Sequence, residues 1–205
     1  MATSLTMPHD PATLLSAILS TIRDRIIPLT RESFANGGAP FGGAILDGDL
    51  KPVIAAVNAW AECPIYHGET NSIRKFYQIP EAERPAPPSC VFFATHEPCA
   101  LCLSAFSWTE FKFIVHLFTY EESDEMLGDT GNIEMLQEVF RVPVAGETSE
   151  KFATRALYNR QNKFFSIKSM EEVLNEVTDE AERTRLSEEV QQVRKIYDEF
   201  RTPNA

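Results

Sequence analysis

The sequence predicts an α/β fold: a three-layer α/β/α domain with a mixed central sheet, followed by a C-terminal helical extension. Three observations predict it. An apolar stripe with helical spacing opens the chain, two short strand patterns joined by a tight turn follow, and a continuous apolar run leads through a proline into a helix and another strand. A hairpin is antiparallel, whereas strands joined through a helix favour parallel pairing, so we expect a mixed sheet.

The first helix is expected to begin after Asp10, which suits the N-cap, with Pro11 as its first residue. The Asn-Gly-Gly segment at 36–38 would end it. The apolar side chains between these limits recur at helical spacing, which indicates one buried face: Leu14, Ile18, Ile22, Ile26 and Leu29. Residues 41–46 and 53–57 then indicate a β-hairpin around an Asp-Gly-Asp turn.

A strand, a helix and a second strand are predicted in the middle of the chain. Residues 91–95 are continuously apolar, as is typical of a strand that is buried on both faces. They lead into Pro98, which suits a helix start over residues 99–109, and a further strand is predicted over 111–120. Between the hairpin and this unit, another helix is expected to start near His67.

The chain has 205 residues, 43% of them hydrophobic, which suffices for a sizeable core. We expect one α/β domain over residues 1–165 and a helical extension over residues 166–205 that packs on that domain or on a partner subunit. Ser169 and Glu172 fit a capping box. Apolar residues of the last helix alternate by four and three, which favours either packing on the chain's own core or a homodimer contact: Leu186, Val190, Val193, Tyr197 and Phe200.

Two short motifs carry the chemistry. His67, Gly68 and Glu69 supply an imidazole and a carboxylate, while Cys99 and Cys102 supply two thiols on one face of a helix. Zinc prefers such imidazole and thiolate ligands in a tetrahedron. Three protein ligands leave the fourth position to water, which is typical of a catalytic zinc site. Glu69 is then the candidate general base that moves the proton of this water.

Each motif alone has other interpretations. The Cys-x-x-Cys pair also fits a redox pair, or half of a structural zinc site with Cys63 or Cys90 as a further ligand. A His-x-Glu triplet alone carries little information. The two motifs in this order, with a strand before the Pro-Cys pair, favour a hydrolytic zinc site.

The order of helix, hairpin, Asn58, His-x-Glu helix, strand and Pro-Cys-x-x-Cys helix resembles the cytidine deaminase-like superfamily over roughly residues 11–140. The nucleobase and tRNA-adenosine deaminase branch is most similar, including cytosine and guanine deaminases. Phe-Gly-Gly-Ala at 41–44 resembles its Phe-Gly-Ala strand start, and Thr-His-Glu-Pro-Cys at 95–99 resembles its Thr-x-Glu-Pro-Cys. Gly68 departs from the commoner His-Ala-Glu, although His-Gly-Glu also occurs in fungal cytosine deaminases.

The resemblance implies a zinc-dependent hydrolase that releases ammonia from the cyclic amidine of a free nucleobase or nucleoside. It implies zinc ligation by His67, Cys99 and Cys102, and acid–base catalysis by Glu69. It also implies substrate contacts, for which the candidates are the Asn58 side chain, the Gly68 amide and, as a wall against the base, Phe41. Asn58 also fits a turn residue that closes its strand, and Phe41 also fits the core.

Other residues near these motifs have simpler interpretations. We expect His96 and His116 to be structural, and Trp108, which ends the helix over 99–109, to lie in the core.

Charge argues for a small substrate. The net charge is −11, and residues 119–150 contain nine acidic residues against one basic residue. Nucleic-acid binders carry a basic stripe, and none is visible, so we expect a base or nucleoside and no nucleic-acid partner. Two alternatives stay open: a tRNA adenosine deaminase, and a catalytically idle zinc-binding partner subunit.

The remaining patterns concern location and assembly. No apolar stretch reaches the length of about 18 residues that a membrane span needs, and the start shows no secretory pattern. Four cysteines, two of them assigned to zinc, do not form a disulfide framework. We therefore expect a cytoplasmic protein without membrane contact, and, because related deaminases form oligomers, a homodimer.

Overall fold

A computed structural model describes residues 5–128 and 130–201, so the ends of both predicted units, 1–4 and 202–205, lie outside the described residues. Its sheet has the strand order β2-β1-β3-β4-β5. The antiparallel pairs are β1–β2 and β1–β3, and the parallel pairs are β3–β4 and β4–β5, which confirms the predicted mixed sheet. The strands are β1 Gly42–Leu46, β2 Pro52–Val57, β3 Val91–His96, β4 Phe113–Phe118 and β5 Ser166–Ser169.

The helices follow in chain order. They are α1 Pro11–Thr21, α2 Ile27–Ala35, α3 Gly68–Phe76, α4 Ala100–Thr109, α5 Tyr120–Leu127, α6 Gly131–Met135, α7 Ser149–Thr154, α8 Met170–Asn175 and α9 Glu180–Tyr197. π-Helical turns at Ile22–Ile26 and Leu136–Phe140 continue α1 and α6. Among the described residues, no helix combines the length and the apolar content that crossing a membrane requires.

The first helix starts where the sequence predicts but changes register inside. The Asp10 carboxylate accepts a hydrogen bond from the Thr13 N–H at 2.9 Å, as expected of an N-cap. Pro28 has no N–H to donate to the preceding turn, and a π-helical turn lies directly before it. The extra residue in that turn rotates the buried face, so that Thr30 is fully buried while Leu29 is only partly buried.

Both faces of the sheet are covered, which confirms the three-layer architecture. Along β3, Val91 and Phe93 belong to a core that also contains side chains of α1 and α9. Phe92, which points to the other face, packs instead with Phe106 of α4, at 4.7 Å between ring centroids. The strand is therefore buried on both faces, as its continuous apolar run predicts.

The tail packs on the chain's own core. Ser169 and Glu172 form the expected capping box, since the Glu172 N–H donates to Ser169 Oγ at 3.1 Å and the Ser169 N–H donates to the Glu172 carboxylate at 2.7 Å. The apolar residues of α9 and the short helix after it are at most 5% exposed: Leu186, Val190, Val193, Tyr197 and Phe200. The structure therefore supports packing of this stripe on the chain's own core and not its use as a homodimer contact.

Two features of the structure differ from what the sequence predicts. The short strand β5 was not predicted, because its four residues alternate too briefly to indicate a strand and its place depends on pairing with β4. Trp108 was expected in the core, and this is wrong: its side chain is 88% exposed on the outer face of α4.

Candidate metal centre and active site

Two helix starts meet at one end of the sheet. His67 is the N-cap residue of α3 and Cys99 is the N-cap residue of α4, both with extended backbone dihedral angles. Cys102 lies in the first turn of α4. Cys99 Sγ lies 3.4 Å from His67 Nδ1 and 3.5 Å from Cys102 Sγ, and the three potential ligand atoms all lie within 4.8 Å of one another. The spacing in the sequence thus becomes one compact donor set.

This donor set fits zinc. Bonds of about 2.0–2.3 Å to a tetrahedral zinc ion place imidazole and thiolate donors about 3.5–3.8 Å apart, close to the observed separations. The hydrogen bond from Cys102, only partly opposed by burial, lowers the pKa of Cys99 to about 4. The N-terminus of α4 favours the same anionic form. Burial raises the pKa of Cys102, so this thiol needs the charge of a bound cation to ionise.

Glu69 lies beside this donor set in the first turn of α3. Its side chain is only 7% exposed and lines the same cavity as His67 and Cys99. Burial, reinforced by the negative charge of Cys99, raises the pKa of Glu69 to about 7. A carboxyl group that exchanges its proton near neutral pH is suited to general acid–base catalysis.

A cavity of about 450 Å³ opens in front of Glu69, large enough for one heterocyclic base. Its walls include the aromatic residues Phe34, Phe41 and Trp60, and its polar side chains include Glu69 and Glu97. No lysine or arginine is found among the described residues that line it. The cavity therefore combines flat apolar surface with negative charge.

Of the three predicted substrate contacts, Phe41, Asn58 and Gly68, only Phe41 is among the described residues that line the cavity. Phe41 lines the cavity and packs against the His96 ring in a T-shaped arrangement, with centroids 4.7 Å apart. Asn58 is buried beside Phe41: its N–H donates to the Phe41 carbonyl at 2.9 Å, and its Oδ1 accepts from Ser33 Oγ at 3.5 Å. It is not among the described residues that line the cavity.

Gly68 also lies outside the cavity wall, where α3 crosses β1 at close range. A Cβ at this position would come within 2.8 Å of the Cα and carbonyl carbon of Gly42. The glycine in this His-Gly-Glu motif therefore permits the close approach of two backbones.

Glu97, which precedes Pro98 and Cys99, has a role that no local sequence pattern predicts. Its N–H donates to the Phe118 carbonyl at 2.8 Å, and its carboxylate accepts a hydrogen bond from the Tyr158 hydroxyl at 2.6 Å. The Tyr120 hydroxyl donates to the Pro98 carbonyl. Two tyrosines thus hold the turn that carries the first thiol. The Thr-x-Glu-Pro-Cys motif includes Glu97, but no local pattern pointed to either tyrosine.

Burial lowers the pKa of both histidines of the strands, and the two differ in position. His116 Nδ1 lies 3.0 Å from the Phe118 carbonyl and its Nε2 lies 3.1 Å from Arg160, so it is structural, as expected. His96 Nδ1 lies 2.9 Å from Thr95 Oγ1, and burial lowers the pKa of His96 to about 3. Unlike His116, His96 also lines the cavity.

Residues 20–117, which include both motifs, match the family described as the cytidine and deoxycytidylate deaminase zinc-binding region. This confirms the predicted resemblance to the cytidine deaminase-like superfamily. No curated protein sequence matches the chain significantly.

Similar solved structures include three deaminases. One comes from a study of A-to-I editing by tRNA:A34 deaminases at the wobble position of tRNA; it is 15% identical, covers 82% of this chain and 99% of its own, and has a TM-score of 0.47. A guanine deaminase from Nitrosomonas europaea is 15% identical over 92% of this chain and 88% of its own, with a TM-score of 0.48. A guanine deaminase from Bacillus subtilis is 22% identical over 72% of this chain and 90% of its own, also with a TM-score of 0.48.

Proposed function

We propose that this chain, whose residues 20–117 match the zinc-binding region of cytidine and deoxycytidylate deaminases, is a zinc-dependent hydrolase that deaminates a free nucleobase or nucleoside. One observation carries the proposal. A buried carboxyl group, Glu69, lies beside three clustered metal-ligand side chains at the wall of a base-sized cavity.

His67, Cys99 and Cys102 would hold the zinc ion, which supplies Lewis-acid activation of a water molecule. Glu69 accepts the proton of that water as oxygen adds to the amine-bearing ring carbon. It delivers the proton to the adjacent ring nitrogen and assists a second transfer to the leaving amine. The carbon–nitrogen bond breaks, ammonia leaves, and the ring keeps the oxygen as a carbonyl group.

Phe41, Asn58 and Gly68 are the proposed orienting groups. Phe41 supplies a wall of the cavity. The contact between Asn58 and Ser33 is long, at 3.5 Å, and a long hydrogen bond is weak, so a substrate can replace it after a small rotation of the amide. Gly68 starts α3, where N–H groups have no acceptor inside the helix.

The charge around the cavity supports an uncharged substrate. The described lining includes two carboxylates and neither lysine nor arginine, and the whole chain carries a net charge of −11. A nucleotide phosphate or a polynucleotide backbone would meet like charge, whereas a free base or nucleoside would not.

We also propose a homodimer and a cytoplasmic location. Zinc-binding cysteines must stay reduced, which suits the cytoplasm. The apolar stripe of α9 does not supply the dimer contact, because it is buried in the chain's own core.

The test is an ammonia-release screen of the zinc-loaded protein with cytosine, guanine, adenine and their nucleosides, alongside tRNA and single-stranded DNA. Glu69→Gln is the control, and we expect it to bind zinc and lose about 10²–10⁴-fold in rate. Turnover of tRNA comparable to that of a base would support the tRNA adenosine deaminase instead. Bound zinc without ammonia release from any substrate would support the idle partner subunit.

A further inference from the structure

We propose that Trp60 is the surface on which the planar ring of the substrate base stacks at the cavity. This inference rests on the proposed function, because it names a contact that sets affinity for flat heterocycles at that same site.

Trp60 combines contact with the site and open surface. Its indole lines the cavity and keeps 44% of its surface exposed. On one side its centroid lies 5.8 Å from Phe41, at an interplanar angle of 47°. On another it lies 6.1 Å from the ring of His67, at 66°. Both neighbours meet it tilted or edge-on, so within the described part of the chain no aromatic ring stacks on its face.

The loop between β2 and α3 holds Trp60 in place. The Ala59 N–H donates to the Tyr66 carbonyl at 2.8 Å, the Cys63 N–H donates to the Ala59 carbonyl at 3.0 Å, and the Tyr66 N–H donates to the Cys63 carbonyl at 2.9 Å. These three hydrogen bonds join backbone groups within residues 59–66 and so order the backbone of the loop that carries Trp60. A side chain on an ordered backbone segment has less conformational freedom to lose when a ligand stacks on it than a side chain on a mobile loop.

The residues that line the cavity favour stacking as a source of affinity. No cation among the described lining residues is available for an anionic substrate, and the Glu97 carboxylate already accepts the Tyr158 hydroxyl. An uncharged base therefore gains binding from its flat faces. Every base has such a face, so Trp60 favours planar heterocycles as a class, and the edges of the base must be read by other groups.

Stacking forms when the flat substrate binds and does not strengthen as the attacked ring carbon becomes tetrahedral, so it contributes to substrate binding and not to the chemical step. Loss of such a contact raises KM and leaves kcat nearly unchanged. We expect Trp60→Ala to raise KM by about tenfold, within the range known for loss of one base–aromatic stack. Trp60→Phe keeps an aromatic face and is expected to restore most of the loss.

The matched control is Ile65→Ala. Ile65 lies in the same loop and is 56% exposed, but it is not among the described residues that line the cavity. We expect this variant to keep the KM of the unaltered protein. An equal rise in KM in both alanine variants would assign the effect to the loop as a whole and overturn the proposal.

Fluorescence provides a readout that does not depend on turnover. The chain has two tryptophans, and the other, Trp108, is 88% exposed at the end of α4. In a Glu69→Gln, Trp108→Phe protein loaded with zinc, Trp60 alone reports. We expect its emission to change on titration with cytosine, guanine, adenine or their nucleosides, with a midpoint that matches the Kd from equilibrium dialysis of the same compound.

The outcomes separate this inference from the proposed function. Ammonia release with unchanged Trp60 emission on binding, or with an unchanged KM in Trp60→Ala, overturns the stacking role and leaves the deaminase intact. If none of the six compounds binds and none releases ammonia, the proposed function fails, and the stacking role fails with it.

Discussion

Replacing Gly68 with alanine tests how the close approach of α3 to the sheet sets the metal centre. An added Cβ would lie 2.8 Å from the Gly42 Cα and carbonyl carbon and 2.9 Å from the Gly42 nitrogen, whereas ordinary contact begins at 3.4 Å. Because these are backbone atoms, the strand and the helix must separate by about 0.6 Å.

The separation affects both stability and catalysis. Overpacking costs about 1–3 kcal/mol, and the better helix propensity of alanine over glycine returns about 1 kcal/mol, so the net loss is up to about 2 kcal/mol. For a chain of this size, about 2–4 °C per kcal/mol gives a decrease in Tm of up to about 8 °C. His67 precedes Gly68 and moves with it. Metal sites tolerate displacements of only about 0.5 Å, so we expect weaker zinc binding and at least a tenfold loss of kcat/KM.

Calorimetry, ammonia release and zinc competition against a chromophoric chelator measure these effects. Alanine keeps the backbone N–H, so a loss cannot be assigned to a missing amide donor. The matched control is Gly48→Ala in the β1–β2 turn, where a Cβ would meet Ser89 O at 3.6 Å, an ordinary contact, and should change nothing. If Gly68→Ala has the Tm and kcat/KM of the unaltered protein, the close approach of α3 to β1 does not set the geometry of the metal centre.

Removal of the metal with a chelator should abolish ammonia release. It should also lower the Tm, because a ligand that binds only the folded state stabilises that state. An unchanged Tm after loss of zinc would contradict this prediction. Burial raises the pKa of Glu69 to about 7 from 4.5. As the pH rises through this interval, the metal-free protein should therefore lose stability relative to metal-free Glu69→Gln, because the folded state then holds a buried carboxylate that the unfolded state ionises freely. If the difference in free energy of unfolding between the two proteins, measured in urea, is the same at about pH 4 and at about pH 8, this prediction is wrong. Tyr158→Phe removes the 2.6 Å hydrogen bond to Glu97 and should cost about 1.5–3 kcal/mol by urea unfolding, with a loss below about 0.5 kcal/mol as the contrary result. Sedimentation at micromolar concentration should show a dimer, and a monomer would remove that prediction.

The parts of the fold that local sequence encodes were predicted well. Asp10 and Ser169 cap their helices through side-chain bonds to residues three positions away, so a short window contains the whole interaction. The same holds for the β1–β2 hairpin and for the buried run of β3. In each case the pattern and its structural consequence lie within a few residues of each other.

The misplaced features depend on partners that are distant in sequence. Trp108 is apolar and lies near the end of α4, a helix that buries one face with Cys102 and Phe106. Trp108 falls on the opposite, exposed face, and only the packing of α4 on the sheet decides which face is buried. Ser166–Ser169 is too short to indicate a strand by itself, and it becomes one because the edge of β4 is there to pair with.

The spacing within the two motifs was enough to identify the side chains of the metal centre and its acid–base group: His67, Cys99, Cys102 and Glu69. The packing of the whole chain was needed to place His67, Glu69 and Cys99 on one cavity wall with Trp60. It also brings Tyr158, which is 61 residues from Glu97 along the chain, into hydrogen-bond contact with that carboxylate. The reason is physical: a helix start is specified by its own few residues, whereas contacts across the sheet depend on strand register and helix packing, which the whole chain determines together.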